Sequence, residues 1–146
     1  MHYQEDHIFQ GQSLSEFRPM SQEEVMKLIQ ESKSKSCELD PIPSDLLKYC
    51  INEVLPIITE IINTSLTLGI MPDVLKHAVV KPLLKKLDLE LINKNYRPVS
   101  NLSFLSKLIE AAVIKQYTAH LFRNGINDVH QSAYKKYHST ETLLTK

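Results

Sequence analysis

The sequence predicts an α+β chain, mostly α-helical, with one small β-ribbon. Three observations carry that reading. Apolar residues recur at three- and four-residue steps through most of the chain, as helices require. Two short extended pieces, residues 78–84 and 96–100, interrupt this pattern, each holding a proline that disfavours helix. The chain has 146 residues, 42% of them apolar and only three of them glycine, enough for one ordinary core and wrong for a disordered or collagen-like chain.

The elements follow in order. Residues 1–16 lack an apolar period and read as a disordered tail, so the folded domain is expected over 17–146. Ser21 and Glu24 have capping-box spacing, and Val25, Leu28 and Ile29 share a face, which predicts a helix over 21–32. Pro41 and Pro43 hold the next stretch extended, with Ser44 placed to cap a short helix carrying Leu46, Leu47 and Cys50. Pro56 reads as part of a first helical turn, followed by a stripe of Ile57, Ile58, Ile61, Ile62 and Leu66 with the small Ser65, ended by Gly69.

The run Ala78-Val79-Val80-Lys81-Pro82-Leu83-Leu84 predicts a strand that Pro82 pushes toward an edge or a bulge. It pairs on paper with Tyr96-Arg97-Pro98-Val99-Ser100 across a basic loop of about ten residues. Ser103 then caps a helix whose face is Leu105, Leu108, Ile109, Ala112, Val113, Gln116, Tyr117, His120 and Leu121, closed by Gly125. A helix opening at Ser139 has only about two turns before Lys146, which predicts a chain cut inside a domain.

Several function classes fall away on composition. The most apolar stretch, 54–68, is interrupted by Pro56, Glu60 and Asn63, so no membrane span or membrane partner is expected. The first ten residues show neither a basic leader nor an apolar run, and two cysteines make no disulfide framework, so an intracellular site is expected. His120, His130 and His138 stand ten and eight apart with no cysteine near, which predicts no metal site, and His120 reads as a satisfied core histidine. No Gly-x-Ser-x-Gly elbow or phosphate-cradling glycine loop is present, and no catalytic residue is assigned.

Charge points elsewhere. Residues 1–75 carry five basic and twelve acidic residues, net −7, and residues 76–146 carry twelve and five, net +7. A half so basic suits a polyanion, although the two halves could equally neutralise each other. Lys81, Lys85 and Lys86 flank one extended piece, and Lys94 and Arg97 flank the other. Tyr134, Lys135, Lys136, Tyr137 and His138 interleave aromatic rings with cations, a composition that allows base stacking beside phosphate contact.

Five blocks in this order resemble the reverse transcriptase of jockey-like non-LTR (LINE-type) retrotransposons. They are residues 35–48 (Lys35 to Lys48, with Asp40-Pro41-Ile42-Pro43), Asn63-Thr64-Ser65-Leu66 with Gly69-Ile70-Met71-Pro72, residues 78–86 (Ala78 to Lys86), residues 95–102 (Asn95 to Leu102, with Tyr96-Arg97-Pro98) and Gln131-Ser132-Ala133-Tyr134-Lys135-Lys136 with His138-Ser139-Thr140-Glu141-Thr142. The resemblance implies the fingers, and the palm edge, of a right-hand polymerase. It implies that Lys85, the lysine next to Lys86, and Arg97 hold the triphosphate of an incoming dNTP. It implies that Lys135, Lys136, His138 and Ser139 face an RNA or DNA template, and it makes a nuclear site of action conceivable.

The magnesium-binding aspartates of that family belong to later blocks, and no Tyr/Phe-x-Asp-Asp occurs among these 146 residues. The expectation is thus a fragment of an RNA-directed DNA polymerase that keeps nucleotide- and template-contacting surfaces, has no cofactor of its own and is inactive alone. The competing expectation is a small helical protein-interaction module without a nucleic-acid role, in which Ile57, Ile61 and Ile62 face a partner helix.

Overall fold

The computed structural model describes residues 11–34, 37–126, 139 and 144. Among them the elements run α1 (Gln22–Glu31), α2 (Ser44–Tyr49), α3 (Ile51–Leu68), β1 (Ala78–Leu84), β2 (Tyr96–Leu102) and α4 (Phe104–Arg123). Short 3₁₀ turns lie at Asp73–Leu75 and Asn93–Asn95. The described chain is therefore mixed and helix-rich, with one two-stranded antiparallel sheet. It divides into two compact units, residues 16–114 in one and residues 1–15 with 115–146 in the other.

The core of the 16–114 unit comes from three helices. Met20, Val25 and Ile29 bring in α1 and its lead-in, Leu55, Ile58, Ile62 and Leu66 bring in α3, and Phe104, Leu108, Ile109 and Ala112 bring in the start of α4. Burying each large aliphatic side chain of this set contributes about 1.5–3 kcal/mol.

Helix α1 starts as its sequence demands. The Ser21 hydroxyl accepts from the Glu24 amide at 3.3 Å, and the Glu24 carboxylate accepts from the Ser21 amide at 3.0 Å. Arg18 closes on the same carboxylate with both guanidinium nitrogens, at 3.0 and 2.5 Å. Asn63 of α3 then clamps the lead-in, accepting from the Met20 amide at 2.7 Å and donating to its carbonyl at 2.9 Å.

Two expectations about the middle helices need correction. Ser44 does not cap α2: Pro43 holds the cap position, and Ser44 is the first helical residue, fully buried. Helix α3 starts at Ile51, so Pro56 lies inside it and leaves the Asn52 carbonyl without its intrahelical donor. The buried series is Leu55, Ile58, Thr59, Ile62, Ser65 and Leu66, while Ile57, between Leu55 and Ile58 in sequence, is 61% exposed. Ile62 is 0% exposed, so Ile57, Ile61 and Ile62 form no common outward stripe. Gly69 ends α3 at φ 64°, in the left-handed region that glycine reaches without a Cβ penalty.

Helix α4 is capped as expected, with the Ser103 hydroxyl accepting from the Ser106 amide at 3.2 Å. A second cap comes from far away in sequence, because Asp40 accepts from the Phe104 amide at 2.7 Å. The Ser106 hydroxyl donates to the Leu75 carbonyl at 2.7 Å, so Ser103 must be the donor in the 2.6 Å contact between the two hydroxyls. The expected apolar face holds through Val113 and then fades: Tyr117 is 50% exposed. His120 is half-buried in the last turn, beside Asn124, and is not a core residue.

In the ribbon, seven residue pairs run from Ala78–Leu102 to Leu84–Tyr96 without a bulge. The Lys85 amide donates to the Asn95 carbonyl at 2.9 Å, which fixes the hydrogen-bonded pairs at Leu83–Arg97, Lys81–Val99 and Val79–Asn101. Pro82 and Pro98 then face each other at a non-hydrogen-bonded pair, so neither missing N–H removes a ladder bond. Of the two places expected for Pro82, an edge or a bulge, the edge holds: β1 is an edge strand of the two-stranded sheet, and its register needs no bulge.

Candidate functional site

Residues directly opposite in an antiparallel pair share a face, and alternate residues along each strand share it too. The register therefore puts Lys81 and Leu83 of β1 on one face with Arg97 and Val99 of β2. The ladder bond from the Lys85 amide carries this alternation one residue past β1, onto the same face. Lys85 and Arg97 become diagonal neighbours there, a relation that spans about 7–8 Å in standard geometry. Lys86, one residue on, lies beyond the ladder, in the turn that opens the loop.

The ladder thus reaches Lys85 and stops before Lys86. Both Lys85 and Arg97 are exposed. The Lys85 ammonium donates to the Lys94 carbonyl at 2.6 Å, which ties it to the loop and leaves two of its three donors. The Arg97 side chain makes no hydrogen bond or ion pair among the described residues, and Arg97 is exposed, so its guanidinium fork is open to water.

The loop between the strands is folded by short-range bonds. The Asn95 side chain donates to the Glu90 carbonyl at 2.8 Å, and the Asn95 amide donates to the Ile92 carbonyl at 2.9 Å. The basic loop expected between the strands is thus a set of tight turns that returns the chain into β2.

Two further cations are occupied by carboxylates. Lys76 lies 2.7 Å from Asp73, whose carboxyl is held below the usual aspartate range by the hydrogen bond and charge of that ammonium. Lys81 lies 2.5 Å from Glu38, and the hydrogen bond to that carboxylate, with its charge, raises the lysine above its ordinary value. Both partners of this second pair are largely solvent-exposed, at 58% and 66%.

Glu38 belongs to the first block of the resemblance, which gives it no role. It sits in a turn anchored on both sides, by the Cys37 amide donating to Asp40 at 2.7 Å and by the Cys37 thiol on the Asn101 carbonyl at 3.3 Å. No local signal could have linked it to Lys81, since only the fold brings the two segments together.

Ser139 is exposed, while Lys135, Lys136 and His138 lie outside the described residues. An apolar cavity of about 580 Å³ opens between the end of α3 and α4, lined by Phe17, Leu66, Met71, Ile109 and Val113 among others. It includes none of the ribbon cations. No helix among the described residues is long and apolar enough to cross a membrane. No family model, curated protein or solved structure matches the chain.

Proposed function

We propose that this chain is a fingers-type segment of a non-LTR retrotransposon reverse transcriptase, which grips the phosphates of a nucleotide or a nucleic-acid strand through its β-ribbon. The observation that carries the reading is the register. It makes Lys85 and Arg97 diagonal neighbours on one exposed ribbon face, where a point-charge donor and a bidentate fork can converge on phosphate oxygens. The ordered blocks of sequence resemblance give the same two residues that role. The catalytic aspartates of such polymerases have no counterpart in these 146 residues, so the activity proposed for this chain is binding without nucleotide incorporation.

The test is binding of a labelled deoxynucleoside triphosphate and of a labelled single-stranded RNA to the 146-residue chain. The logarithm of affinity for RNA should fall linearly with the logarithm of salt concentration, as phosphate neutralisation requires. The double variant Lys85→Ala/Arg97→Ala should weaken triphosphate binding at least tenfold while its thermal midpoint stays put, because both side chains are exposed. An unchanged triphosphate affinity in that variant would refute the assignment.

A further inference from the structure

The ribbon face holds a third cation at the same repeat. Counting along the ladder, Lys81 stands at the level of Val99, Arg97 at the level of Leu83, and Lys85 at the level of Asn95. Each step is two residues of strand, about 6.6–6.8 Å, so the three cations span about 13 Å. That span is too long for one triphosphate, whose phosphorus atoms are joined through single oxygens. One nucleotide of a polynucleotide backbone contains the same number of backbone bonds as two amino-acid residues. The repeat of the cations therefore suits consecutive phosphates of an extended strand. Leu83 and Val99, 59% and 42% exposed, stand across from Arg97 and Lys81 on this face and offer aliphatic surface to sugars.

In the free chain the first position of this row is taken. Glu38 holds Lys81 at 2.5 Å, and the turn that carries Glu38 is tied down by Asp40 and by the Asn101 carbonyl. A surface carboxylate–ammonium pair of this kind is weak enough for a phosphate to replace it.

Resting on the ribbon reading above, we infer that the ligand of this face is a single-stranded polynucleotide backbone, that Lys81 is its third phosphate contact, and that Glu38 is a built-in competitor which the strand displaces. Glu38 thereby sets a floor on affinity: strands too short to reach Lys81 gain nothing from displacing it.

The experiment is fluorescence anisotropy of labelled oligo(dT), and separately of labelled dTTP, with the full chain and four variants. Glu38→Gln should tighten oligo(dT) binding about two- to fivefold, the scale of one exposed ion pair. Lys81→Gln should weaken it and make the log–log salt slope shallower by about 0.7, one phosphate's worth for a single strand. In the Glu38→Gln/Lys81→Gln chain the gain from removing Glu38 should vanish. Neither single substitution should change dTTP binding.

If Glu38→Gln tightens binding as much with Lys81 removed as with it present, Glu38 acts through overall charge and the competitor assignment fails. An equal gain for dTTP overturns the polynucleotide assignment. The fourth variant, Lys85→Ala/Arg97→Ala, separates the two levels of argument. If it loses oligo(dT) binding while Glu38→Gln and Lys81→Gln are neutral, only the inference about Lys81 falls. If the parent chain binds neither ligand, the ribbon reading falls with it.

Discussion

Asp40 is the residue on which two distant segments converge. One carboxylate oxygen accepts from the Cys37 amide and the other from the Phe104 amide, each at 2.7 Å. The first bond shapes the turn that presents Glu38, and the second satisfies an N-terminal amide of α4 that would otherwise lack an intrahelical partner. Asp40→Ala should therefore lower unfolding stability by about 1–3 kcal/mol in a urea titration, the range for losing a helix cap and stranding an amide. Asp40→Asn keeps one acceptor oxygen and should recover about half of that loss. Equal losses in both variants would mean that charge, and not acceptor geometry, is what α4 requires. None of this was legible beforehand. Asp-Pro-Ile-Pro reads as a turn, and a hydrogen bond spanning 64 positions leaves no local trace. The Asn63 clamp on Met20, 43 positions away, was invisible for the same reason.

At the scale of elements, signals confined to one turn of chain were readable and those depending on context were not. The capping box at Ser21, the stop at Gly69 and the limits of β1 all follow from neighbouring residues. Ser21→Ala should cost about 1 kcal/mol, seen as a lower urea midpoint with an unchanged slope. The Ser21 hydroxyl also bonds to Glu23 and, with a backbone bond, holds its carboxyl below the usual glutamate range. A depressed carboxyl stabilises the fold fully above its unfolded value and loses that contribution as pH falls through the lowered one. The stability gap between parent and Ser21→Ala should accordingly narrow below the ordinary glutamate range. Helix α3 was misplaced because Pro56 usually marks a start. Here the helix tolerates it one turn in, where Asn52 and Glu53 are exposed to water. Pro56→Ala restores a donor for the Asn52 carbonyl and should raise stability by about 1–3 kcal/mol; a loss would show that proline stiffens this turn usefully.

For the whole molecule, the acidic and the basic half meet at two described ion pairs, Asp73 with Lys76 and Glu38 with Lys81, and the Arg97 side chain is left open. The ribbon raises a different matter. It is a lone pair of strands with outward apolar side chains at Val80, Leu83 and Val99, a composition that invites another chain to add a strand. The facing prolines answer this. At a non-hydrogen-bonded pair the N–H points away from the partner strand, so Pro82 and Pro98 blank out a donor in the middle of each free flank. A recruited strand would meet a gap halfway along either side. Replacing both with valine should leave the internal ladder whole and turn each flank into a continuous template. Light scattering of Pro82→Val/Pro98→Val should then show concentration-dependent association that the parent lacks; equal scattering from both chains would mean the flanks are guarded some other way. Two prolines that look like strand breakers thus act as insulation, keeping an adhesive arm from zipping onto its own copies.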